Sequence, residues 1–425
     1  LQDYFQKSEY VIENLWFDYL ENRYQGRGIL SWDPSIGLHL EALLNREKMR
    51  QIEKIELGRV RIIRKSDTSS ICMRPWNTNC AIAPEVILID REDILFQHRL
   101  SINLNRVIFF EPTKKGLTDD ERRLWIGHAI YRVQDIEILS DQVSEEVRID
   151  GALVKSNNHF CGISYKTEEQ TVLGRLIDKH HLQIDWYFSK SSFSKSYSWK
   201  WAEAAQDALS ILLGQTVQLV YQKLSDGLHG RREIRNMPKV EKLGILSPFY
   251  GKKTLDKNSF IKLTDFFIKN EFKAGICRNI FRQIAEASRQ RSYQTQELLV
   301  STILEAALRN IDQNPFKHKR DGWNVGKSLK RFLLTHLSEQ WIPLTEPLMV
   351  SHAYLRDRNA HPDWLFGQGG SRSEKDREKA LDSMVFLSQF YGYMILALAG
   401  FENLEPYFPI SHKQWEAPVI MTPAK

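Results

Sequence analysis

Two residues near the C-terminal end of the chain have the chemistry to cleave a phosphodiester. The sequence there reads His352-Ala353-Tyr354-Leu355-Arg356-Asp357-Arg358-Asn359-Ala360-His361-Pro362-Asp363. Its chemical content lies in Arg356-Asp357-x-x-x-His361. Arginine is permanently charged and can fork onto a phosphate. Histidine exchanges a proton near neutral pH. Cleavage of RNA needs both, a stabiliser for charge growing on the phosphate oxygens and a proton carrier for the 2′-hydroxyl or the leaving oxygen. The sequence presents no carboxylate cluster suited to two metal ions, and no Cys or Ser set beside a base. The attacker that fits is therefore the RNA's own 2′-hydroxyl. A helix C-terminus decorated with cations that suit its dipole gives the same pattern without any chemistry, so the surrounding elements decide.

The spacing predicts a helix over Thr345–Ala360 with Leu348, Leu355 and Ala353 on its apolar side. A residue before proline is pushed out of the helical region, which places His361 at the helix end and Arg356 in the last turn. In an unbroken helix the two would point about 140° apart, so Pro362 lets His361 swing back. Glu305 sits mid-helix in the apolar run Leu298–Leu308. A carboxylate there either snorkels at the stripe edge or is held by a cation, for which Arg356 is one partner.

The 425 residues suffice for two or three domains. A composition of 42% hydrophobic and 26% charged residues is that of an ordinary protein with substantial cores. Cys72, Cys80, Cys161 and Cys277 show no metal-binding spacing, and reduced buried thiols in a cytoplasmic protein are expected. No metal or other cofactor is implied. The start, Leu1-Gln2-Asp3-Tyr4, lacks a basic region followed by an apolar one, so no signal peptide is expected. Met384–Phe401, the most apolar stretch, is interrupted by Ser388, Gln389, Gly392 and Gly400; it reads as a buried core helix and not a membrane anchor. The net charge of +6 is uneven: residues 199–425 balance to +8 and residues 1–198 to −2. The excess lies beside Arg356 and His361, a mild pointer to a polyanion.

The first half reads mostly as β. Short β-branched or alternating runs occur at Val60–Arg64, Glu85–Asp90, Arg106–Glu111, Ile130–Leu139, Val147–Lys155, Phe160–Lys166 and Leu182–Phe188. Helical pieces are expected at Ile36–Arg50 and after the capping sequence Thr118-Asp119-Asp120-Glu121. The polar stretch Ser189–Ser196 marks the boundary. Beyond it a long helix is expected over Trp199–Leu224, then a basic loop region over Gly227–Asp256. Helices follow at Ser259–Asn270, Gly275–Arg289, Thr295–Ile311, Val325–Leu337, Thr345–Ala360 and Glu374–Ala399. The fold expected is α+β in two domains: a β-rich sensor or regulatory domain over 1–195 and an all-α bundle over 196–425.

Other motifs carry less. Gly326-Lys327-Ser328 lacks the preceding strand and the earlier glycine of a phosphate loop, Asp321 standing in its place, so Lys327 belongs to a helix start capped by Asn324. Lys317, Lys319 and Arg320 form a basic loop with Phe316 that could track an RNA backbone. His180-His181 has no third metal ligand at suitable spacing. Trp199, Trp201, Tyr221, Trp323 and Trp341 suit cores and interfaces. No helix-turn-helix supports a DNA-binding regulator.

A helical C-terminal domain with Arg356-Asp357-Arg358-Asn359-Ala360-His361 closing its penultimate helix, followed by one long helix, resembles the HEPN domain (higher eukaryotes and prokaryotes nucleotide-binding) over about residues 260–400. The β-rich half joined to it resembles the ApeA-type HEPN proteins of bacterial anti-phage defence. The resemblance implies metal-independent endoribonuclease activity on RNA, possible tRNA included, at a composite site formed by two paired domains in a homodimer or larger homo-oligomer. It implies Arg356 on the transition-state charge, His361 moving the proton, and Asp357 with Asn359 orienting them, Glu305 and Arg358 supporting. A phage-derived or small-molecule trigger would act at the β domain, with no membrane involved. The family also contains non-catalytic RNA- or nucleotide-binding and assembly modules. Asp357 stands where Asn is frequent.

Overall fold

The computed structural model describes residues 5–19, 22–34, 36–46, 60–63, 70–75, 83–86, 96–112, 122–134, 136, 141–142, 146–149, 152–155, 160–161, 163–225, 229–235, 240–248, 256–313, 323–360, 374–402 and 404. They form a mixed α+β structure that clusters into two units. Unit 1 comprises Leu1–Arg132, Ser140–Ala202 and Gln218–Lys239; unit 2 comprises Val133–Leu139, Glu203–Val217 and Val240–Lys425.

Unit 1 is built on a 13-stranded antiparallel sheet. Strands β1 (Ser8–Tyr19), β2 (Asn22–Asp33), β3 (Gly37–Arg46), β4 (Val60–Ile63), β5 (Ser70–Pro75), β6 (Ala83–Val86) and the long β7 (Phe96–Pro112) come first. Leu104 of β7 pairs with Leu38 of β3 and also with Pro75 of β5, one on each edge. Strands β7, β3, β2, β1, β4 and β5 therefore close into a ring, which removes exposed edges. The sheet continues from β7 through β17 (His229–Arg235), β16 (Gln218–Ser225), β8 (Leu124–Arg132), β15 (His181–Ser189), β14 (Gln170–Asp178) and β13 (Ile163–Lys166). Two small two-stranded sheets pair β10 (Glu146–Ile149) with β11 (Ala152–Lys155) and β9 (Asp141–Gln142) with β12 (Phe160–Cys161).

One face of β15 packs under the start of helix α1 (Lys195–Leu213), where Trp186 stacks on Trp201 at 4.7 Å and the Tyr131 hydroxyl donates to the Ala202 carbonyl at 3.0 Å. Trp186 lies across Gly127, where an added Cβ would come within 1.9 Å of the indole. Only glycine permits that approach.

The structure departs from the sequence expectation in several elements. Within the helix expected over Ile36–Arg50, Gly37–Arg46 is the strand β3 instead: Leu38, Leu40 and Ala42 are buried while Glu41 and Leu43 face outward. Arg122, directly after the capping sequence, is helical, and β8 follows over Leu124–Arg132. The helix expected over Trp199–Leu224 stops at Leu213. Gly214, at φ 59°, closes it: its N–H bonds the Ile211 carbonyl and that of Gln215 the Ser210 carbonyl. The chain then re-enters the sheet as β16 and β17, so residues 196–425 are not wholly helical and Ser189–Ser196 is not a clean boundary. The hydrophobic run after Gly214 is strand material because Leu219 and Tyr221 pair with β8.

Unit 2 contains helices α2 (Lys257–Lys269), α3 (Glu271–Arg289), α4 (Tyr293–Ile311), α5 (Val325–His336), α6 (Thr345–Ala360) and α7 (Glu374–Leu398), with short 3-10 turns at Gly244–Leu246 and Glu339–Leu344. These match the six helices read from the sequence after residue 256 to within a few residues. Helix α7 is the core of the unit. Burial there runs almost unbroken from Ser383 to Leu398, and its Tyr391 hydroxyl donates to the Val300 carbonyl of α4 at 2.7 Å. It alone among the described helices is long and apolar enough to cross a membrane, and 83% of that window is buried inside the protein. Asn324 caps α5 by accepting the Lys327 N–H at 3.1 Å, as the sequence indicated.

Candidate functional site

Helix α6 presents the motif. Leu348 and Leu355 are fully buried, and the spacing i, i+4, i+7 puts His352 between them on the same stripe. His352 and not Ala353 completes the buried face. One turn further, Arg356 emerges with its side chain 46% exposed. Asp357 is exposed beside it. Asn359 and Arg358 belong to the last turn of α6, but their side chains lie outside the described residues, as do His361 and the loop residues Lys317, Lys319 and Arg320.

Arg356 is tethered to α4. Its guanidinium lies 3.5 Å from Oε2 of Glu305, the partner the sequence suggested. The other oxygen, Oε1, accepts from Arg309 one turn along α4, at 2.9 Å from Nη2 and 3.2 Å from Nε. Arg309 in turn stacks on the Trp323 ring at 4.2 Å, and Trp323 donates to Asp312 at 3.0 Å. Asp312 also accepts from Ser328 at the start of α5. An aromatic ring and two carboxylates thus fix the base on which Arg356 rests. Glu305 is shared by two arginines, so the trio keeps one net positive charge facing solvent.

His352 lies one turn beneath Arg356 and is 3% exposed. Neither ring nitrogen meets a hydrogen-bond partner in good geometry. Burial holds its pKa below the ordinary histidine value; the Ser301 backbone pulls upward, Arg356 downward, and Glu305 and Asp357 upward again. Ser301 and Glu305 are one turn apart on α4, as His352 and Arg356 are on α6. The two helices therefore meet in two successive polar rungs. The sequence reasoning missed His352, although its place between Leu348 and Leu355 on the apolar stripe marked it as buried.

Elsewhere in the unit Cys277 is a buried free thiol whose pKa burial pushes up to about 12. No group of three or more His, Cys, Asp or Glu residues suited to a metal ion occurs among the described residues.

No protein-family model matches this chain, and neither a curated protein nor a solved structure is measurably similar to it.

Proposed function

We propose that this chain is a metal-independent endoribonuclease of the HEPN type, acting in the cytoplasm in bacterial anti-phage defence, with the composite site made by two paired helical domains. The observation that carries the reading is Arg356: a half-exposed cation in the last turn of a helix, braced from behind by Glu305, which Arg309 holds in turn. A charge-stabilising donor has to be pre-positioned to act, because reorientation during the reaction costs rate.

In this reading the substrate phosphate docks on Arg356. His361 takes the 2′-hydroxyl proton as that oxygen attacks phosphorus, and a second histidine from the paired copy returns a proton to the departing 5′-oxygen. Arg356 holds the charge that builds on the non-bridging oxygens. Asp357 and Asn359 orient these groups, Arg358 supports them, and Lys317, Lys319 and Arg320 track the RNA backbone. The products are a 2′,3′-cyclic phosphate and a 5′-hydroxyl.

One observation favours a second reading, a HEPN module that binds RNA or nucleotides without cutting. Glu305 neutralises part of Arg356, which suits binding with modest affinity better than strong charge stabilisation. Incubating the full chain with tRNA in EDTA separates the two. Cleavage lost in R356A and H361A supports the nuclease; a gel shift with intact RNA supports the binder.

A further inference from the structure

The sheet of unit 1 holds a second charged constellation that the ribonuclease reading does not use. Its centre is His128 on β8. The Nδ1 of His128 lies 2.8 Å from Oδ1 of Asp185 on β15, and Asp185 is only 4% exposed while His128 is 34% exposed. Asp185 is itself held: both its oxygens accept from Nε2 of Gln183 at 2.8 Å. Gln183 is fixed in turn, its Oε1 accepting from Nε of Arg175 on β14 at 3.0 Å. A buried carboxylate that engages one ring nitrogen sets the tautomer and ring orientation and leaves the other, Nε2, for a ligand.

The register continues the row. His128 is directly opposite Asp185 on one side and Lys223 of β16 on the other, and Lys223 is directly opposite Arg232 of β17. Directly opposed residues of antiparallel strands share a face, with Cβ atoms about 4.5–5.5 Å apart. Histidine, lysine and arginine thus stand side by side on three adjacent strands. All three are half-buried, where charges are less screened than on an open surface.

We propose that this row is a recognition site for the phosphate group of a small phosphomonoester, with His128, Lys223 and Arg232 as its contacts and Asp185 as the positioning residue for His128. The chemistry selects phosphate over a carboxylate. A phosphomonoester carries three acceptor oxygens, enough to meet several adjacent donors at once. The site does not depend on the ribonuclease reading, and it gives the small-molecule trigger expected at the β domain a chemical class.

The test titrates inorganic phosphate, and separately glycerol 3-phosphate, into the full chain by calorimetry at constant ionic strength. R356A serves throughout as background, so that phosphate bound at the helical site is not counted. Saturable binding is expected, weakened at least tenfold in H128Q and in K223Q, with acetate giving no saturable heat. K223Q replaces a half-exposed side chain, so it keeps the test open should H128Q fold poorly. Diethyl pyrocarbonate labelling read by mass spectrometry supplies the position: phosphate should slow modification of His128 at least fivefold and leave His180 unchanged. No saturable heat, equal binding by K223Q and the R356A parent, or acetate acting as well as phosphate would each overturn the proposal.

Discussion

The bracing of Arg356 by Glu305 makes a quantitative prediction. At a separation of 3.5 Å, two unit charges attract by about 5 kcal/mol at an effective dielectric of 20 and by about 1 kcal/mol in bulk water. Arg356 is 46% exposed and Glu305 27%, so solvent screening brings the pair toward the water limit. The desolvation and side-chain entropy costs of an exposed pair reduce the net value further, to about 0.5–1 kcal/mol. Glu305 also serves Arg309, so E305Q alone reports both contacts. A double-mutant cycle isolates one: E305Q, R356Q and the double variant, each unfolded in urea at low salt. The coupling energy should be about 0.5–1 kcal/mol and should shrink in molar salt. A coupling indistinguishable from zero at low salt would refute the claim that Glu305 fixes Arg356, and with it the pre-positioning on which the nuclease reading rests.

Other consequences follow from burial. His352 is held neutral by desolvation, its folded pKa below the ordinary 6.5. Above that value both folded and unfolded forms are neutral and the group contributes nothing to the pH dependence. As pH falls below it the unfolded chain takes up the proton first, so stability declines until the folded pKa is passed. Urea midpoints measured between pH 8 and 5 should fall less steeply in H352F than in the parent; equal slopes would count against a buried neutral ring. At Gly127 an added methyl would enter the Trp186 indole, so G127A should cost about 1–3 kcal/mol by overpacking, measured as a drop in urea midpoint. A neutral G127A would mean that Trp186 does not lie across that backbone.

The helices of unit 2 were legible because each has a strong local signal. Asn324 and Asp256 cap helices through their side chains, and Leu348 with Leu355 sets the buried stripe of α6. The sheet was less legible because its partners are distant in sequence. Nothing local says that Leu219–Ser225 pairs with β8, about ninety positions earlier, and a hydrophobic run following a helix reads as more helix unless Gly214 is taken as a stop. In β3 the apolar residues suit both a helical and a strand period, and only burial on one face of the sheet separates them. The Glu305–Arg356 contact was readable because a carboxylate in an apolar stripe calls for a cation. The burial of His352 was marked by its place between Leu348 and Leu355, but its lack of a hydrogen-bond partner depends on the α4 surface opposite. Asp185 and His128 are 57 residues apart, and strand register alone brings them together.

One cleavage experiment tests the proposed ribonuclease activity most directly. The purified full chain is incubated with tRNA in excess EDTA and the fragment ends are mapped. Cleavage with a 2′,3′-cyclic phosphate on the 5′ fragment is predicted, and a single 2′-deoxy sugar at the cut should block it. R356A should lose at least about a hundredfold in rate, from the roughly 2.7–4 kcal/mol carried by one key charge-stabilising donor, and H361A about 10²–10⁴-fold. Cutting at the deoxy position, strict dependence on magnesium, or full activity in R356A would contradict the account.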